Sequence, residues 1–333
     1  MERRSILTRL FRVKQFILFI ILLAIILLFY LLNPNYLSGN NLRGVMQAMS
    51  ITGIMAVGMT CLFIGGGIDL AATTISSFAG IVCALFMRGG VPWPICVVIS
   101  LIAGGAMGFV VAGVVVHMRM IPFIGTIAVS NVLVGINRAL TNAQPVPVPT
   151  EGFWVLGGSN VFSFIPTPFL IMVCLLIIYG LILRYSQFGR NIYLVGGNMN
   201  AARLSGLNPK KIKTILYINN SILSSLAGVV TISRMHSAGS GASDSQMSAI
   251  TAAILGGVSF GGGAGTMSGC FIGILLLNFF NNGLNVLSLE SYWQTIAQGA
   301  LLIIALTMDF YSERSRERAL KVKLNVGREE AMK

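Results

Sequence analysis

Long apolar runs recur along the whole sequence and are separated by short polar or glycine-rich stretches. An apolar run of about 18 residues can cross a bilayer core roughly 30 Å thick, and it does so as a helix because lipid offers no partners to backbone polar groups. The pattern therefore predicts an all-α integral membrane protein with about ten transmembrane helices. In chain order the runs cover 15–33, 44–64, 68–88, 92–117, 121–139, 166–184, 214–234, 247–259, 264–284 and 292–310.

The composition excludes a chain of soluble domains. Hydrophobic residues make up 55% of the sequence and charged residues only 10%, whereas soluble domains carry about 25% charged residues. The net charge of +13 comes from basic residues that flank the apolar runs. We therefore expect membrane lipids, and no nucleic acid, as partners of these charges.

The distribution of basic residues predicts an orientation. If the N-terminus is cytoplasmic, ten helices place 19 of the 23 Lys and Arg residues on the cytoplasmic side, where basic loops are enriched. The predicted organisation is a basic N-terminus over 1–14, a transmembrane domain over 15–310 with a cytoplasmic loop at 185–213, and a basic C-terminal tail over 311–333. The four basic residues on the outer side are Arg43, Arg88, Arg138 and Arg234.

Two glycine-rich stretches interrupt the apolar pattern, and the second follows the short eighth run. Glycine adopts positive φ and lets backbones approach closely, so these stretches predict tight turns, close helix contacts or broken helices that line a cavity. The eighth run itself is short enough for a broken or re-entrant helix. The glycines at the predicted breaks are Gly65, Gly66 and Gly67 in the first, and Gly256, Gly257, Gly261, Gly262 and Gly263 in the second.

Asp69 is the only acidic residue deep within the first nine runs. A carboxylate at membrane depth is costly, and such residues are often functional. Asp69 also precedes a predicted helix, where a carboxylate caps free backbone N–H groups. We favour the cap over direct contact with a solute.

Motifs for catalysis and metal binding are missing from the sequence. The second glycine cluster has no Lys after it, which excludes a phosphate-binding loop, and the two histidines, His117 and His236, lie far apart. The sequence therefore predicts no catalytic residue, no metal site and no cofactor on this chain. It therefore predicts that this chain alone is not an enzyme.

Four ordered motifs resemble the permeases of ribose-type ABC importers, a branch of the branched-chain amino acid and ribose permease family. The resemblance extends from about residue 45 to 310. The motifs are Ala56-Val-Gly-Met-Thr60 with Gly65-Gly-Gly-Ile-Asp-Leu70; Phe188-Gly-Arg-Asn-Ile-Tyr-Leu-Val-Gly-Gly-Asn198 with Ala201-Ala202-Arg-Leu-Ser-Gly206; Ala253-Ile-Leu-Gly-Gly257 through Thr266; and Asn282-Gly-Leu-Asn285 with Ser291-Tyr-Trp-Gln294.

The resemblance implies a multi-pass subunit in the bacterial cytoplasmic (inner) membrane. Its implied partners are separate ABC ATPase subunits that bind ATP and Mg, an extracytoplasmic sugar-binding protein, and a second permease copy or a homologous permease. It also implies that the cytoplasmic loop carries a coupling helix that docks on the ATPase. The residues carried over to this helix and its flanks are Gly197, Asn198, Ala201, Ala202, Arg203, Leu204, Ser205 and Gly206.

The sequence departs from the family pattern at two places. Ala71-Ala-Thr73 stands where the family has Ser-Val-Gly, and Gln246-Met-Ser-Ala-Ile-Thr251 stands where it has Glu-Leu-Asp-Ala-Ile-Ala. Two family carboxylates are therefore absent. This chain could form a heterodimer with a permease that retains them.

A sugar needs a polar path that binds it weakly, and amides can supply hydrogen bonds without full charge. The same amides can instead hold helices together, and single aromatics often serve only packing. Two alternatives to sugar import stay open, namely an ABC permease for another small solute such as an amino acid or nucleoside, and an ion-coupled secondary transporter. The candidates for the translocation path are Asp69, Asn131, Asn137, Phe260, Asn281, Asn282, Asn285, Trp293 and Gln294.

Overall fold

A bundle of helices makes up nearly all of the structure. The computed structural model describes residues 14–148, 152–161, 164–239, 245–307 and 310; most of the predicted N-terminal segment and the whole C-terminal tail lie outside them. The helices are α1 (Lys14–Leu32), α2 (Gly39–Ile64), α3 (Ala72–Arg88), α4 (Trp93–Ala112), α5 (Pro122–Thr141), α6 (Trp154–Gly157), α7 (Thr167–Tyr185), α8 (Gln187–Gly197), α9 (Met199–Leu204), α10 (Pro209–Met235), α11 (Ser245–Leu255), α12 (Met267–Val286) and α13 (291–307).

Short elements complete the chain. A 3-10 turn, Pro34–Leu37, follows α1, and a π-helical turn, Gly113–His117, extends α4. Two antiparallel pairs of two-residue strands join the connecting segments. They are β1 (Val146–Pro147) with β4 (Ser237–Ala238), and β2 (Asn160–Val161) with β3 (Ile165–Pro166).

Each of the ten predicted runs coincides with a helix, although seven helices among the described residues are long and apolar enough to cross a membrane. The other three runs contain α3 with 17 residues, α11 with 11 residues, and α13. Helix α3 begins at Ala72, four residues after the start of its run, because the glycines and Asp69 form a turn first. The prediction of a multi-pass membrane protein is confirmed, whereas the number of spans stays a prediction.

Helices α2 and α10 form the centre of the bundle, and α1 lies at its edge. The apolar window of α2 is 83% buried and that of α10 is 67% buried, against 17% for α1. Helix α10 packs on α2, α3 and α4. Small residues allow the closest of these contacts, since a Cβ at Gly108 would lie 2.7 Å from the Ser221 side chain.

The two ends of the bundle are formed by different kinds of segment. At one, which we call the basic end, lie the start of α1, residues 65–71, the 184–213 segment and residues 256–268. Hydrogen bonds join them, for example from Gln15 to the Thr266 hydroxyl at 2.8 Å. At the opposite proline end lie residues 33–38, 142–148 and 236–238, where Val148 N donates to His236 O at 3.0 Å.

Candidate functional site

The two glycine-rich breaks meet each other and the cytoplasmic loop at the basic end. The backbone of Gly263 donates a hydrogen bond to the carbonyl of Ile64 at 2.8 Å, which joins the second break to the end of α2. The last two residues of α8 lie between the breaks. We call this contact of three backbones the glycine junction, and its members are Gly66, Gly196, Gly197, Gly262 and Gly263.

Side chains are excluded from the glycine junction by the spacing of its backbones. A Cβ on Gly196 would overlap the carbonyl oxygen of Ile64. A Cβ on Gly262 would lie 3.0 Å from the Cα of Gly66, and Gly262 has a φ of +94°, which side chains rarely adopt. Gly197 differs, since its Cβ would make only an ordinary contact of 3.9 Å. The junction therefore depends on glycine at particular positions.

Not every predicted break residue belongs to the junction. Gly256 packs instead against the carbonyl of Gly269, where α11 meets α12, and Gly257 turns the chain with a φ of +85°. Gly261 lies exposed in the same turn. Gly65 and Gly67 end α2, and Gly67 N donates to Leu62 O at 2.9 Å.

Side chains of the neighbouring helices hold each break in place. Lys213 of α10 donates to Gly66 O at 3.0 Å, and the Tyr217 hydroxyl donates to Ile68 O at 3.0 Å. Tyr193 of α8 donates to Gly265 O at 2.8 Å in the second break. Burial raises the pKa of the Tyr193 hydroxyl, so this group remains a donor at neutral pH.

Asp69 is fully buried, and both of its carboxylate oxygens accept hydrogen bonds from the protein. Oδ1 accepts from Ala71 N at 2.8 Å, and Oδ2 accepts from the Asn220 amide of α10 at 2.9 Å. The contact with Ala71 lies just before the first residue of α3. Within the first turn of α3, the Thr73 N–H donates to the Gln246 side-chain oxygen at 3.1 Å. Asp69 thus joins the first break to α10.

Gln246, which stands where the family pattern has Glu, makes a contact between two helices. Its side chain, 8% exposed, reaches from the first turn of α11 to the first turn of α3. Because Gln supplies the same kind of acceptor as Glu without its charge, the N–H of Thr73 is satisfied by a neutral amide oxygen here. The sequence flagged this position as a departure but did not predict its contact.

The predicted coupling segment forms the short helix α9 with an exposed apolar tip. Asn198 caps it, because its Oδ1 accepts from Asn200 N and Ala201 N at 3.0 Å each. Leu204 is 90% exposed, an unusual state for a leucine outside the lipid-facing helices, whereas Ala202 is only 2% exposed and packs inward. Among the residues predicted to contact an ATPase, Gly197, Asn198, Ala201, Arg203, Leu204, Ser205 and Gly206 are exposed.

Apart from Asp69, the candidates for the translocation path fall into three separate places. At the proline end the Gln294 amide donates to the Asn285 side chain at 2.7 Å, and the exposed Trp293 lies beside it. Asn281 and Asn282 precede them on α12, and the Asn281 Oδ1 and Asn282 Nδ2 have no hydrogen-bond partner among the described residues.

The remaining candidates are not close to that group. Asn137 of α5 is buried and donates to Thr74 O at 3.3 Å, while Asn131 is exposed on the same helix. Phe260 lies in the second break, with its ring centroid 5.6 Å from that of Phe63. One continuous polar path through this chain does not follow from these positions.

Sequence reasoning missed four residues that form the site. The loop motif contains Gly196, but the family resemblance places only its neighbour Gly197 in the coupling segment. Lys213, Tyr217 and Asn220 stand four and three positions apart, which places them on one face of α10, and this periodicity was the available signal. Lys213 and Tyr217 donate to backbone carbonyls, and Asn220 donates to the Asp69 carboxylate, of a turn about 150 residues earlier, which no local pattern indicates.

One known protein family matches this chain over most of its length. The model of the family described as branched-chain amino acid transport system / permease component matches residues 41–306. The chain belongs to this permease family. No solved structure gives a significant match.

Relatives of this permease extend the resemblance over almost the whole chain. It is 36% identical to the ribose import permease protein RbsC of Escherichia coli K12 over 300 residues, which cover 89% of this permease and 92% of the relative. It is 33% identical to RbsC of Bacillus subtilis 168, with 87% and 91% covered. The L-arabinose ABC transporter permease protein AraH of Azospirillum brasilense is 30% identical, with 87% and 85% covered. The resemblance to this family is thereby confirmed.

Proposed function

We propose that this permease imports a monosaccharide across the bacterial inner membrane as the membrane subunit of an ABC importer. Relatives that carry the names of ribose and arabinose permeases support the substrate class. A sugar-binding protein delivers the solute outside, and separate ATPase subunits bind ATP and Mg inside. A second permease copy or a homologous permease completes the pathway, in keeping with candidate path residues that do not line one route within a single chain.

We further propose about ten membrane spans with both termini in the cytoplasm. The basic end would then face the cytoplasm, and the proline end would face the binding protein. The positions of Arg43, Arg88, Arg138 and Arg234 support this orientation, because each lies near a helix terminus at the proline end and all other described basic residues lie toward the basic end.

The observation that carries the coupling role is the glycine junction. Helix α9 follows α8 after a single residue, Asn198, and α8 ends between the two breaks. A movement of α9 would therefore reach the turn between α2 and α3 and the turn between α11 and α12 through direct backbone contact. Small shifts at such packed contacts can be transmitted as movements of whole helices.

An ion-coupled carrier receives less support from the geometry. Asp69, its main candidate, has both carboxylate oxygens occupied by protein donors inside the bundle. Import of another small solute by the same ATP-driven mechanism remains the alternative that the family description itself suggests.

Co-purification of the permease with its proposed ATPase subunit tests the coupling role. We expect Leu204→Asp to abolish the association, because it places a charge on the exposed apolar tip of α9. Leu289→Asp makes the same change at the proline end and should leave the association intact. Equal ATPase recovery with both variants would contradict the assignment of α9, and no recovery with the native permease would contradict the ABC mechanism itself.

A further inference from the structure

A cleft of about 780 Å³ lies on the outside of the bundle between α1, α7 and α12. Helix α1 packs on α12 through Leu18, Leu22 and Leu276. Helix α7 packs on α12 from the other side, so α12 forms the floor of the cleft and α7 its main wall, while α1 borders the cleft through Gln15. The cleft shares no residue with the glycine junction or with the candidates of the translocation path, although Tyr193 and Thr266 in its lining adjoin the second break.

The lining of the cleft changes from apolar to polar along α7. Val173, Ile177 and Leu181 face it within the membrane-spanning part, and the last two of these are more than half exposed. Arg184 lines it at the basic end, together with Gln15. From Val173 to Arg184 the helix rises about 16 Å, which is roughly half the thickness of the hydrocarbon core.

Two features keep the cleft open and cationic. Gly180 lines its wall without a side chain, and a Cβ there would lie 3.6 Å from the Cβ of Met267 on the floor. The acidic residues in the described part of the chain are Asp69, buried at the centre of the bundle, and Glu290, at the proline end. Arg184 therefore faces the cleft with no carboxylate of the described residues to neutralise it.

We propose that this cleft binds one anionic phospholipid. Its acyl chain lies along α7 over Gly180, and its phosphate meets Arg184 at the basic end, where Gln15 and Tyr193 also line the cleft. The length and polarity of the cleft match a lipid that enters from the bilayer. Basic pockets between membrane helices on the cytoplasmic side are typical sites for anionic headgroups.

Native mass spectrometry of the permease released from vesicles of phosphatidylglycerol and phosphatidylethanolamine tests the proposal. We expect one phosphatidylglycerol per chain to survive detergent exchange. Gly180→Leu fills the cleft and Arg184→Gln removes its charge, so each should lose that lipid. Gly135→Leu, at an open position on α5, and Lys211→Gln, at the basic end outside the cleft, should both retain it.

Three results would overturn the proposal. Retention of the lipid by both Gly180→Leu and Arg184→Gln would show that it binds elsewhere. Equal retention of phosphatidylethanolamine would show that Arg184 does not select an anionic headgroup. Loss of a second permease copy, and not of a lipid, in Gly180→Leu would show that the cleft is a subunit interface. A thermal unfolding curve for each variant checks that the bundle is intact.

Discussion

The two glycine-rich breaks contribute to the same junction but are held in different ways. The first, residues 65–71, is anchored by side chains of the central helix α10 and by the buried carboxylate of Asp69. The second, residues 256–266, is held by backbone contact with Ile64 and by the Tyr193 hydroxyl of α8. The first break is mostly buried, whereas Phe260 and Gly261 in the second are exposed.

The difference indicates a division of roles within the proposed mechanism. Buried polar contacts in a low-dielectric interior are costly to break, so the first break is expected to move together with α10. The second break is bonded to Tyr193 of α8 and is expected to follow α8 through the junction. A movement of α8 and α9 is therefore expected to displace α11 and α12 relative to α2 and α10.

The largest expected effect on transport comes from a side chain placed in the glycine junction. Gly196→Ala places a methyl group against the Ile64 carbonyl, so the backbones must separate. Such overpacking costs about 1–3 kcal/mol. We expect at least a tenfold loss of ATP-driven uptake in proteoliposomes that contain the complete importer.

Gly197→Ala is the matched control for this prediction. Its methyl group would make an ordinary contact at 3.9 Å. Both substitutions replace glycine in α8, where alanine favours a helix by about 1 kcal/mol, so helix propensity cannot explain a difference between them. Equal uptake by the two variants would show that the junction does not transmit movement.

After the effect on transport comes the effect on stability, which should be largest on removal of the Asp69 carboxylate. Asp69→Ala leaves the Ala71 N–H and the Asn220 amide without acceptors in a buried position. We expect a loss of about 2–4 kcal/mol in the free energy of unfolding. Thermal unfolding in detergent measures this loss as a clear fall in the unfolding temperature.

Asp69→Asn distinguishes a structural carboxylate from a functional one. The Asn220 Oδ1 has no hydrogen-bond partner among the described residues, so rotation of that amide would let it accept from the new side chain, and we expect most of the stability to return. ATP-driven uptake should then be retained. Stable protein with abolished uptake would instead assign a transport role to the charge of Asp69.

The smallest expected effects come from two substitutions that compare the anchoring of the two breaks directly. Tyr217→Phe and Tyr193→Phe each delete one hydroxyl that donates to a break, and such bonds contribute about 0.5–1.5 kcal/mol. Because Tyr217 is fully buried and Tyr193 is half-buried, we expect Tyr217→Phe to lower the unfolding temperature more. Tyr30→Phe on the exposed face of α1 serves as the control, and the reverse order would contradict the stronger anchoring of the first break.

Much of the fold was predictable because the length of an apolar run and the positions of glycines are local properties of the sequence. The runs at 15–33 and 166–184 became α1 and α7 with ends within a residue or two. The start of the run at 68–88 was predicted less accurately. Ile68 and Leu70 are apolar enough to continue the pattern, but together with Asp69 they form a turn that precedes the helix. Of the candidate site, the sequence identified the glycines of both breaks without predicting that they touch.

The sequence by itself therefore determined that this chain is a multi-pass helical permease, since lipid imposes long apolar helices and the family motifs are continuous segments. It also determined where the helices break, because glycine changes backbone freedom locally. Only the tertiary structure decided that Gly66, Gly196 and Gly262 meet, that Asp69 binds Asn220, and that α1 and α7 leave a cleft over α12. Each of these contacts joins residues far apart in the chain, and only the packing of the bundle sets their distances.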